Sequence, residues 1–210
     1  MTPEALVRSG TSWETVPFVA EISLLTAAEH VGLWELWDWT ERDAPPFWAF
    51  PWAGGQALAR YLLDNPAIVA GRRVLDAASG SGLVAIAAAK AGAARVVAGD
   101  IDVNALAAIG INAMANSVTV SARVIDFAAS DASGAEVVLA ADVFYQRELA
   151  GLALRFLRRA ARSGADVLVA DPGRAFLPAD SLAPLVSYQV PVLTVLEDAS
   201  VKEVTVYRLA

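Results

Sequence analysis

The sequence contains no cysteine, which excludes a disulfide framework and a metal site built from thiolates. It has one histidine and only two lysines, Lys90 and Lys202, among 16 basic residues. The net charge of −7 disfavours a phosphate-backbone partner, because non-specific affinity for nucleic acid comes from lysine and arginine. Hydrophobic residues make up 56% of the chain, yet charged residues interrupt every apolar stretch before it reaches membrane-spanning length. We therefore expect a globular protein without a metal, nucleic-acid or membrane partner.

No basic and apolar signal segment opens the chain, so a cytoplasmic location fits the composition best. A chain of 210 residues is long enough for one domain with a sizeable core, and no repeat or low-complexity linker divides it. We predict a single domain over residues 1–210. Within it, residues 1–55 form an aromatic lid or substrate segment, and residues 56–210 form a cofactor-binding core.

Residues 73–102 organise the rest of the chain. In order, they predict a strand ending at Asp76, a turn of small residues over 77–82, an alanine-rich helix over 83–91 and a strand over 94–99 that carries Asp100 at its tip. This βαβ unit predicts a nucleotide-type ligand at the carboxyl ends of the strands.

The turn separates two classes of cofactor. A dinucleotide site requires G-x-G-x-x-G, whereas the small residues here are Ala78, Gly80 and Gly82, at a different spacing. The Asp76 carboxylate would repel a pyrophosphate but favours the ammonium and sulfonium of S-adenosylmethionine. Asp100 is placed to accept hydrogen bonds from both ribose hydroxyls. These residues favour S-adenosylmethionine over NAD, the alternative being a plain βαβ unit with an incidental glycine turn.

Further cofactor contacts are predicted at the tips of neighbouring strands. A third strand over residues 118–125 ends at Asp126 and Phe127, where an acid and a ring can meet the amino group and the face of adenine. Ile101 follows the second strand, and Ala141 lies near the end of a fourth strand over residues 136–142; both complete the predicted cofactor set.

An aromatic strip over residues 43–55 contains three prolines and four aromatic residues, which are Phe47, Trp48, Phe50 and Trp52. It predicts either the wall of a narrow substrate channel or core packing. Phe47 and Trp48 are assigned to the substrate, and Trp52, beside the diglycine Gly54–Gly55, to the cofactor or substrate. A helix over residues 56–63 is predicted to follow the diglycine.

The N-terminal segment carries less information. Residues 1–16 resemble a frayed lead-in, and residues 17–26 predict a short extended segment in which Glu21 is a further candidate substrate contact. Residues 27–40 predict an amphipathic helix or turn that carries Trp34, Trp37 and Trp39 as a packed lid. His30 lies outside the cofactor unit, so a surface or capping role is favoured over that of a general base.

The C-terminal half continues the alternation of strands and helices. It predicts a helix over 146–162, a fifth strand over 165–171, and a closing hairpin with strands over 188–196 and 204–209. The fold class predicted is therefore α/β and Rossmann-like, with one antiparallel strand in an otherwise parallel sheet and helices on both faces.

The segments PPFWAFPWAGGQALARYLLDNP, VLDAASGSG, AGDID, ADVFY and ADPGR are similar to those of the family-16 class I methyltransferases. The similarity runs from about Pro17 to the end, and it is greatest to the lysine methyltransferases of the electron transfer flavoprotein β-subunit, including their bacterial relatives. The resemblance implies a seven-stranded Rossmann-like sheet and N-methylation of a protein lysine with S-adenosylmethionine. Ala78 departs from the glycine of many methyltransferases, and we expect its methyl group to be tolerated.

Two catalytic residues follow from this resemblance and from their place at the tip of the fourth strand. Asp142 is expected to attract and orient the lysine ammonium, and Tyr145 to orient the amine; both are also assigned to substrate binding. The alternatives are helix capping for Asp142 and core packing for Tyr145. A small-molecule N-methyltransferase for a pyridine or amine, a ribosomal protein L11-type methyltransferase and a non-catalytic interaction protein are the rival functions.

Overall fold

The computed structural model describes residues 2–27, 46–132, 134–194 and 199–210. The segment predicted as a tryptophan-bearing helix lies outside these ranges except for Ala27. The roles assigned to His30, Trp34, Trp37 and Trp39 therefore stay predictions.

An ordered helix and hairpin occupy residues 3–26, so the frayed lead-in predicted for residues 1–16 is wrong. Helix α1 (Pro3–Ser9) begins after Thr2, whose hydroxyl accepts a hydrogen bond from the Ala5 backbone N–H. Strand β1 (Ser12–Val16) pairs antiparallel with β2 (Val19–Thr26), which is the predicted extended segment. Four buried residues of the hairpin, Val16, Val19, Ile22 and Leu24, pack on the helices that cover the main sheet.

The main sheet has seven strands in the order β5-β4-β3-β6-β7-β9-β8. The strands are β3 (Arg73–Ala77), β4 (Arg95–Asp100), β5 (Ser121–Val124), β6 (Val137–Ala141), β7 (Asp166–Asp171), β8 (Leu182–Pro191) and β9 (Val201–Leu209). Only β9 runs antiparallel to its neighbours β7 and β8. The predicted fold class is confirmed.

Four helices cover the two faces of this sheet, and they are α2 (Ala53–Asp64), α3 (Leu83–Lys90), α4 (Val103–Ala115) and α5 (Arg147–Arg162). Because successive side chains of a strand point to opposite faces, Val74 packs with α2 and α3 while Leu75 packs with α5. The central strands are buried on both sides, as parallel strands between helices must be. No helix in the described part of the chain is both long and apolar enough to cross a membrane.

Several boundaries differ from those predicted. Helix α2 begins at Ala53, so Gly54 and Gly55 lie in its first turn rather than before it. Strand β5 covers only Ser121–Val124 of the range predicted over 118–125. Strand β8 begins six residues before the predicted start at residue 188. The diglycine is the difference that matters for function, because it lies against the candidate site.

Candidate active site

A cavity of about 500 Å³ opens at the carboxyl ends of β3, β4 and β6. The chain leaves β3 toward β4 on one side and reaches β6 on the other, so this is the switch point where open α/β sheets bind ligands. The cavity is lined by thirteen of the residues predicted for the site, which are Phe47, Trp48, Trp52, Asp76, Ala78, Gly80, Asp100, Ile101, Asp126, Phe127, Ala141, Asp142 and Tyr145. These thirteen predicted residues therefore lie around one cavity in the folded chain.

Two predicted residues lie elsewhere. Glu21 is exposed on β2, where its carboxylate forms an ion pair with Arg60 at 2.8 Å, and it does not line the cavity. Gly82 precedes α3 with φ of +86°, and a Cβ atom there would lie 3.3 Å from Ile109 of α4. Gly82 thus allows the turn and the close packing of α3 on α4, and does not itself line the cavity.

The loop after β3 has left-handed backbone at alternate positions. Ala78 has φ of +57° and Gly80 has φ of +54°. A side chain in this region costs about 1 kcal/mol, a cost that glycine at the position of Ala78 would avoid. The methyl group of Ala78 is exposed, so it meets no obstacle beyond this backbone cost.

Asp76 is a buried carboxylate, with only 1% of the residue exposed. It accepts hydrogen bonds from the Ser79 hydroxyl and, at 3.1 Å, from the Ala85 backbone N–H in the first turn of α3. Burial raises the pKa of Asp76 to about 7, and the nearby Asp100 carboxylate adds to this rise, while both hydrogen bonds oppose it. A positively charged ligand group would favour the ionised form.

Asp100 anchors the glycine loop to β4. Its Oδ2 accepts a hydrogen bond from the Gly80 N–H at 2.8 Å, and its Oδ1 accepts one from the Asp102 N–H at 3.1 Å. Burial raises the pKa of Asp100 as well. Each carboxylate oxygen retains capacity for a further donor, so Asp100 can hold the loop and accept from a ligand at the same time.

The pH dependence of folding stability should expose the buried state of Asp76. Between its ordinary pKa of 3.8 and its raised value of about 7, the folded chain holds a proton that the unfolded chain has released. Stability therefore falls as pH rises through this window and the loss is complete above it. We expect Asp76→Asn to raise the melting temperature at about pH 8 and to have little effect near pH 4. Equal differences at both pH values, measured by calorimetry, would contradict this assignment.

Residues that follow β4 and β5 line another part of the cavity. The Phe127 ring lies 5.1 Å from the ring of Phe156 of α5 and is 8% exposed. Asp126 caps its own loop, where its Oδ1 accepts from the Ala128 N–H at 2.8 Å. Ile101 is 67% exposed at the rim. An acid beside a flat ring is the arrangement that was predicted for an adenine contact.

The aromatic strip is both a wall and a core element. Trp52 lies between Phe47 and Phe50, with ring centroids 5.9 and 6.0 Å away, and its indole N–H donates to the Phe47 carbonyl at 2.8 Å. Phe47 also lies 5.4 Å from Tyr145. Trp48, by contrast, is only 1% exposed and packs mainly among residues of α1, β2 and α4. The two alternatives for the strip therefore apply to different rings within it.

Asp142 follows β6 in left-handed backbone, with φ of +57°. Its Oδ2 accepts a hydrogen bond from the Gly55 N–H at 3.0 Å, and its Oδ1 accepts from Arg174 at 3.0 Å. Burial raises its pKa to about 6, which the Arg174 charge opposes and Asp171 reinforces. The residue before α5 is Gln146, so Asp142 does not cap that helix. Instead, Asp142 accepts a hydrogen bond from a backbone N–H in the first turn of α2.

The sequence analysis does not predict that Arg174 and Gly54 lie against Asp142. The ADPGR segment enters the sequence analysis only through the family resemblance, and no local pattern shows that its arginine reaches across to the loop after β6. A Cβ atom on Gly54 would lie 2.5 Å from Asp142 Oδ2 and 2.7 Å from the Ala170 carbonyl. The glycine pair was a usable signal, because glycine in a helix often marks a close approach of another backbone.

The two adjacent glycines offer a matched test of this close approach. Gly54→Ala should displace the Asp142 carboxylate and lower the free energy of unfolding by about 1 to 3 kcal/mol, as overpacking does. Gly55→Ala meets only Leu83 at 3.7 Å, an ordinary contact, and replaces a helical glycine with a better helix former. We therefore expect a lower melting temperature for the first variant alone. Similar melting curves for the two proteins would contradict the steric role of Gly54.

Several known proteins are similar to this chain. The family model of the ribosomal protein L11 methyltransferase (PrmA) matches residues 57–160. A curated protein of Xenopus laevis, "Electron transfer flavoprotein beta subunit lysine methyltransferase", is 37% identical over 98% of this chain and 86% of its own length. The protein of the same name from Danio rerio is 44% identical over 65% of this chain and 56% of its own length.

The chain belongs to the electron transfer flavoprotein beta subunit lysine methyltransferase family. Solved structures agree in fold. The ribosomal protein L11 methylase of Lactobacillus delbrueckii subsp. bulgaricus has a TM-score of 0.57 and 18% identity, covering 93% of this chain and 98% of its own. The magnesium protoporphyrin IX methyltransferase of Synechocystis PCC 6803, with bound SAM, has a TM-score of 0.55 and 14% identity, covering 74% of this chain and 78% of its own. The predicted resemblance to this lysine methyltransferase family is confirmed.

Proposed function

We propose that the protein is an S-adenosylmethionine-dependent lysine N-methyltransferase whose substrate is the β-subunit of electron transfer flavoprotein. The observation that carries this function is the largely buried Asp142 carboxylate, which lies at the strand tip and lines the same cavity as the rings of Phe47, Trp52 and Tyr145. A carboxylate within an aromatic slot suits a long aliphatic side chain that ends in an ammonium group. The names of the relatives supply the identity of the protein substrate.

The charges of the cavity fit this cofactor. Among the described residues that line it, the ionisable carboxylates are Asp76, Asp100, Asp102, Asp126 and Asp142, and the only basic residue is Arg174. Such a site opposes a pyrophosphate and favours a cation. Asp76 would take the ammonium of S-adenosylmethionine, Asp100 its ribose hydroxyls, and Asp126 with Phe127 its adenine. When bound, S-adenosylmethionine supplies a methyl group carried on a positively charged sulfur.

The chain's own residues prepare the lysine nitrogen. A free lysine has a pKa of about 10.4 and is almost wholly protonated at neutral pH, whereas only the neutral amine can attack a methyl carbon. Asp142 accepts a hydrogen bond from the ammonium and fixes the nitrogen at the strand tip. The rings around the nitrogen reduce its hydration, which disfavours the charged form, and a water molecule at the mouth of the cavity accepts the proton and carries it to solvent. Alignment of the nitrogen supplies most of the rate enhancement.

Tyr145 orients the amine as a neutral phenol. It lies at the rim, 36% exposed, with its ring against Phe47. Burial and the charge of Asp100 raise the pKa of Tyr145 above its ordinary value, and Arg174 opposes this rise. The hydroxyl group therefore stays protonated at neutral pH and acts as a hydrogen-bond partner, not as a base. The single-domain arrangement and a cytoplasmic location stay predictions.

Transfer from radiolabelled S-adenosylmethionine tests the function. The purified protein is offered electron transfer flavoprotein, ribosomal protein L11 and a panel of aromatic amines in parallel. Label on the flavoprotein β-subunit, removed when its target lysine is changed to arginine, supports the proposal. Label on L11 or on a small amine alone would replace the substrate, and failure to bind the cofactor would overturn the activity itself.

A further inference from the structure

Arg174 lies in the wall of the cavity, in the turn that follows β7. Its Nη2 donates to Asp142 Oδ1 at 3.0 Å, and the two side chains are 20% and 11% exposed. The carbon at the centre of its guanidinium lies 5.8 Å from the centroid of a Trp52 ring. The guanidinium thus contacts both the carboxylate proposed to receive the lysine and the aromatic wall of the channel.

The backbone of Arg174 is fixed independently of this contact. Asp171 Oδ1 accepts hydrogen bonds from the Gly173 N–H at 2.8 Å and from the Arg174 N–H at 2.7 Å. Gly173 has φ of +84°, which lets the chain turn back toward the cavity. The arginine therefore starts from a rigid turn, and its side chain is directed across the tips of β6 and β7.

We propose that Arg174 is a positioning residue for methyl transfer: it holds the Asp142 carboxylate in place for the lysine and its charge favours the neutral amine. The proposal rests on the proposed function.

The first effect acts on Asp142. Within the described part of the chain, the charged and polar groups that face its carboxylate are Arg174 and Asp171 from the end of β7 and the Gly55 N–H from α2. Of these, Arg174 is the only cation, and it opposes the rise in pKa that burial and Asp171 cause. Without it, Asp142 would hold its proton to higher pH, and a neutral carboxyl group attracts an ammonium far less.

The second effect acts on the lysine. A nitrogen that shares the Asp142 carboxylate with Arg174 lies within roughly 8 Å of the donating guanidinium nitrogen, because two hydrogen bonds of about 3 Å and the width of the carboxylate separate them. A positive charge at that distance, in a slot with little water, lowers the pKa of the amine. Arg174 thus keeps the Asp142 carboxylate ionised, so that it attracts the ammonium. It also lowers the pKa of the bound ammonium.

Arginine suits this position better than lysine. Its guanidinium is planar and always charged, so it can donate to a carboxylate while lying near an aromatic ring. Lysine would keep the charge but not the second contact. We therefore expect Arg174→Lys to retain transfer within about tenfold, and Arg174→Gln to lose about 30- to 100-fold in kcat/KM.

A matched control is available at the opposite end of the sheet. Arg72 forms an ion pair with Asp166 at 2.8 Å, and its side chain is 29% exposed, close to the exposure of Arg174. Arg72→Gln removes a comparable arginine and ion pair far from the cavity. Its transfer rate should equal that of the unchanged protein, which separates a local effect from a general loss of stability.

Two readouts distinguish positioning from a structural role. The pKa of Asp142, followed by carboxyl carbon NMR without substrate, should rise in Arg174→Gln and be nearly restored in Arg174→Lys. The acidic limb of the pH profile of kcat/KM should move to higher pH in the same order, with cofactor affinity unchanged. An Asp142 pKa unmoved by Arg174→Gln, or equal losses of transfer in Arg174→Gln and Arg72→Gln, would overturn the proposal. Because the NMR titration needs no transfer, it decides the role of Arg174 even if the proposed substrate proves wrong.

Discussion

Asp142→Asn should lower kcat by about 100- to 1000-fold while the dissociation constant for S-adenosylmethionine stays within a few-fold of its normal value. The asparagine keeps the shape of the side chain, and its oxygen can still accept from the Gly55 N–H, which lies 3.0 Å from the carboxylate. It loses the negative charge that attracts and orients the lysine ammonium, and its amide nitrogen cannot accept the hydrogen bond that Arg174 donates to Oδ1. The effect therefore falls on transfer and not on the cofactor. Single-turnover transfer and calorimetric titration measure the two quantities separately.

The Asp166→Asn variant is the control for this change. Asp166 is also an aspartate paired with an arginine, Arg72, but it lies at the start of β7, away from the strand tips that border the cavity. We expect its kcat to be unchanged. Near-normal transfer by Asp142→Asn would remove Asp142 from the mechanism, and parallel losses of transfer and cofactor binding would move its role to the cofactor.

Asp100→Ala should weaken the binding of S-adenosylmethionine by more than about 100-fold. Two losses combine here. The ribose hydroxyls lose their proposed acceptor, and the Gly80 N–H, which donates to Asp100 at 2.8 Å, loses the bond that holds the glycine loop against β4. A displaced loop would also remove the surface on which the cofactor rests. Calorimetric titration of the purified variant gives the dissociation constant directly.

Asp102→Ala is the control for Asp100→Ala. It also removes a carboxylate at the carboxyl end of β4, but not the acceptor of the Gly80 N–H. Asp102 Oδ1 accepts from the Asn104 N–H at 2.8 Å and so caps α4. Loss of a cap costs about 1 kcal/mol, which lowers the melting temperature by about 2–4 °C in a chain of this size. We expect this fall with only a small change in cofactor affinity. If Asp102→Ala weakened the cofactor as much as Asp100→Ala, the special role of Asp100 would be lost.

Local patterns in the sequence predict which residues meet on the side of the cavity that is proposed for the cofactor. Asp76, Gly80 and Asp100 belong to one strand–turn–helix–strand unit, so spacing along the chain nearly determines their spacing in space. The same holds for Asp126 and Phe127, which directly follow a strand. In each case the carboxyl end of a parallel strand brings the residue to the edge where ligands bind.

Contacts between distant elements are what the sequence does not predict. Arg174 reaches Asp142 across 32 positions, and Gly54 approaches the same carboxylate from another helix. Glycine disfavours helices locally, so a helix start after the diglycine is the natural prediction; packing against Asp142 and β7 overrides it. The N-terminal helix was missed for a different reason. Thr2, Pro3 and Glu4 form an ordinary helix-start signal that was not used.

Asn112 connects the glycine loop to the N-terminal hairpin. This fully buried side chain donates to the Ser81 carbonyl at 2.8 Å and accepts from the Leu25 N–H at 2.9 Å. One amide therefore bridges the loop under the cofactor and strand β2. Thermodynamic linkage makes such a bridge reciprocal. If docking of a protein substrate on the hairpin changes the affinity for S-adenosylmethionine through Asn112, bound S-adenosylmethionine changes the affinity for that substrate by the same factor.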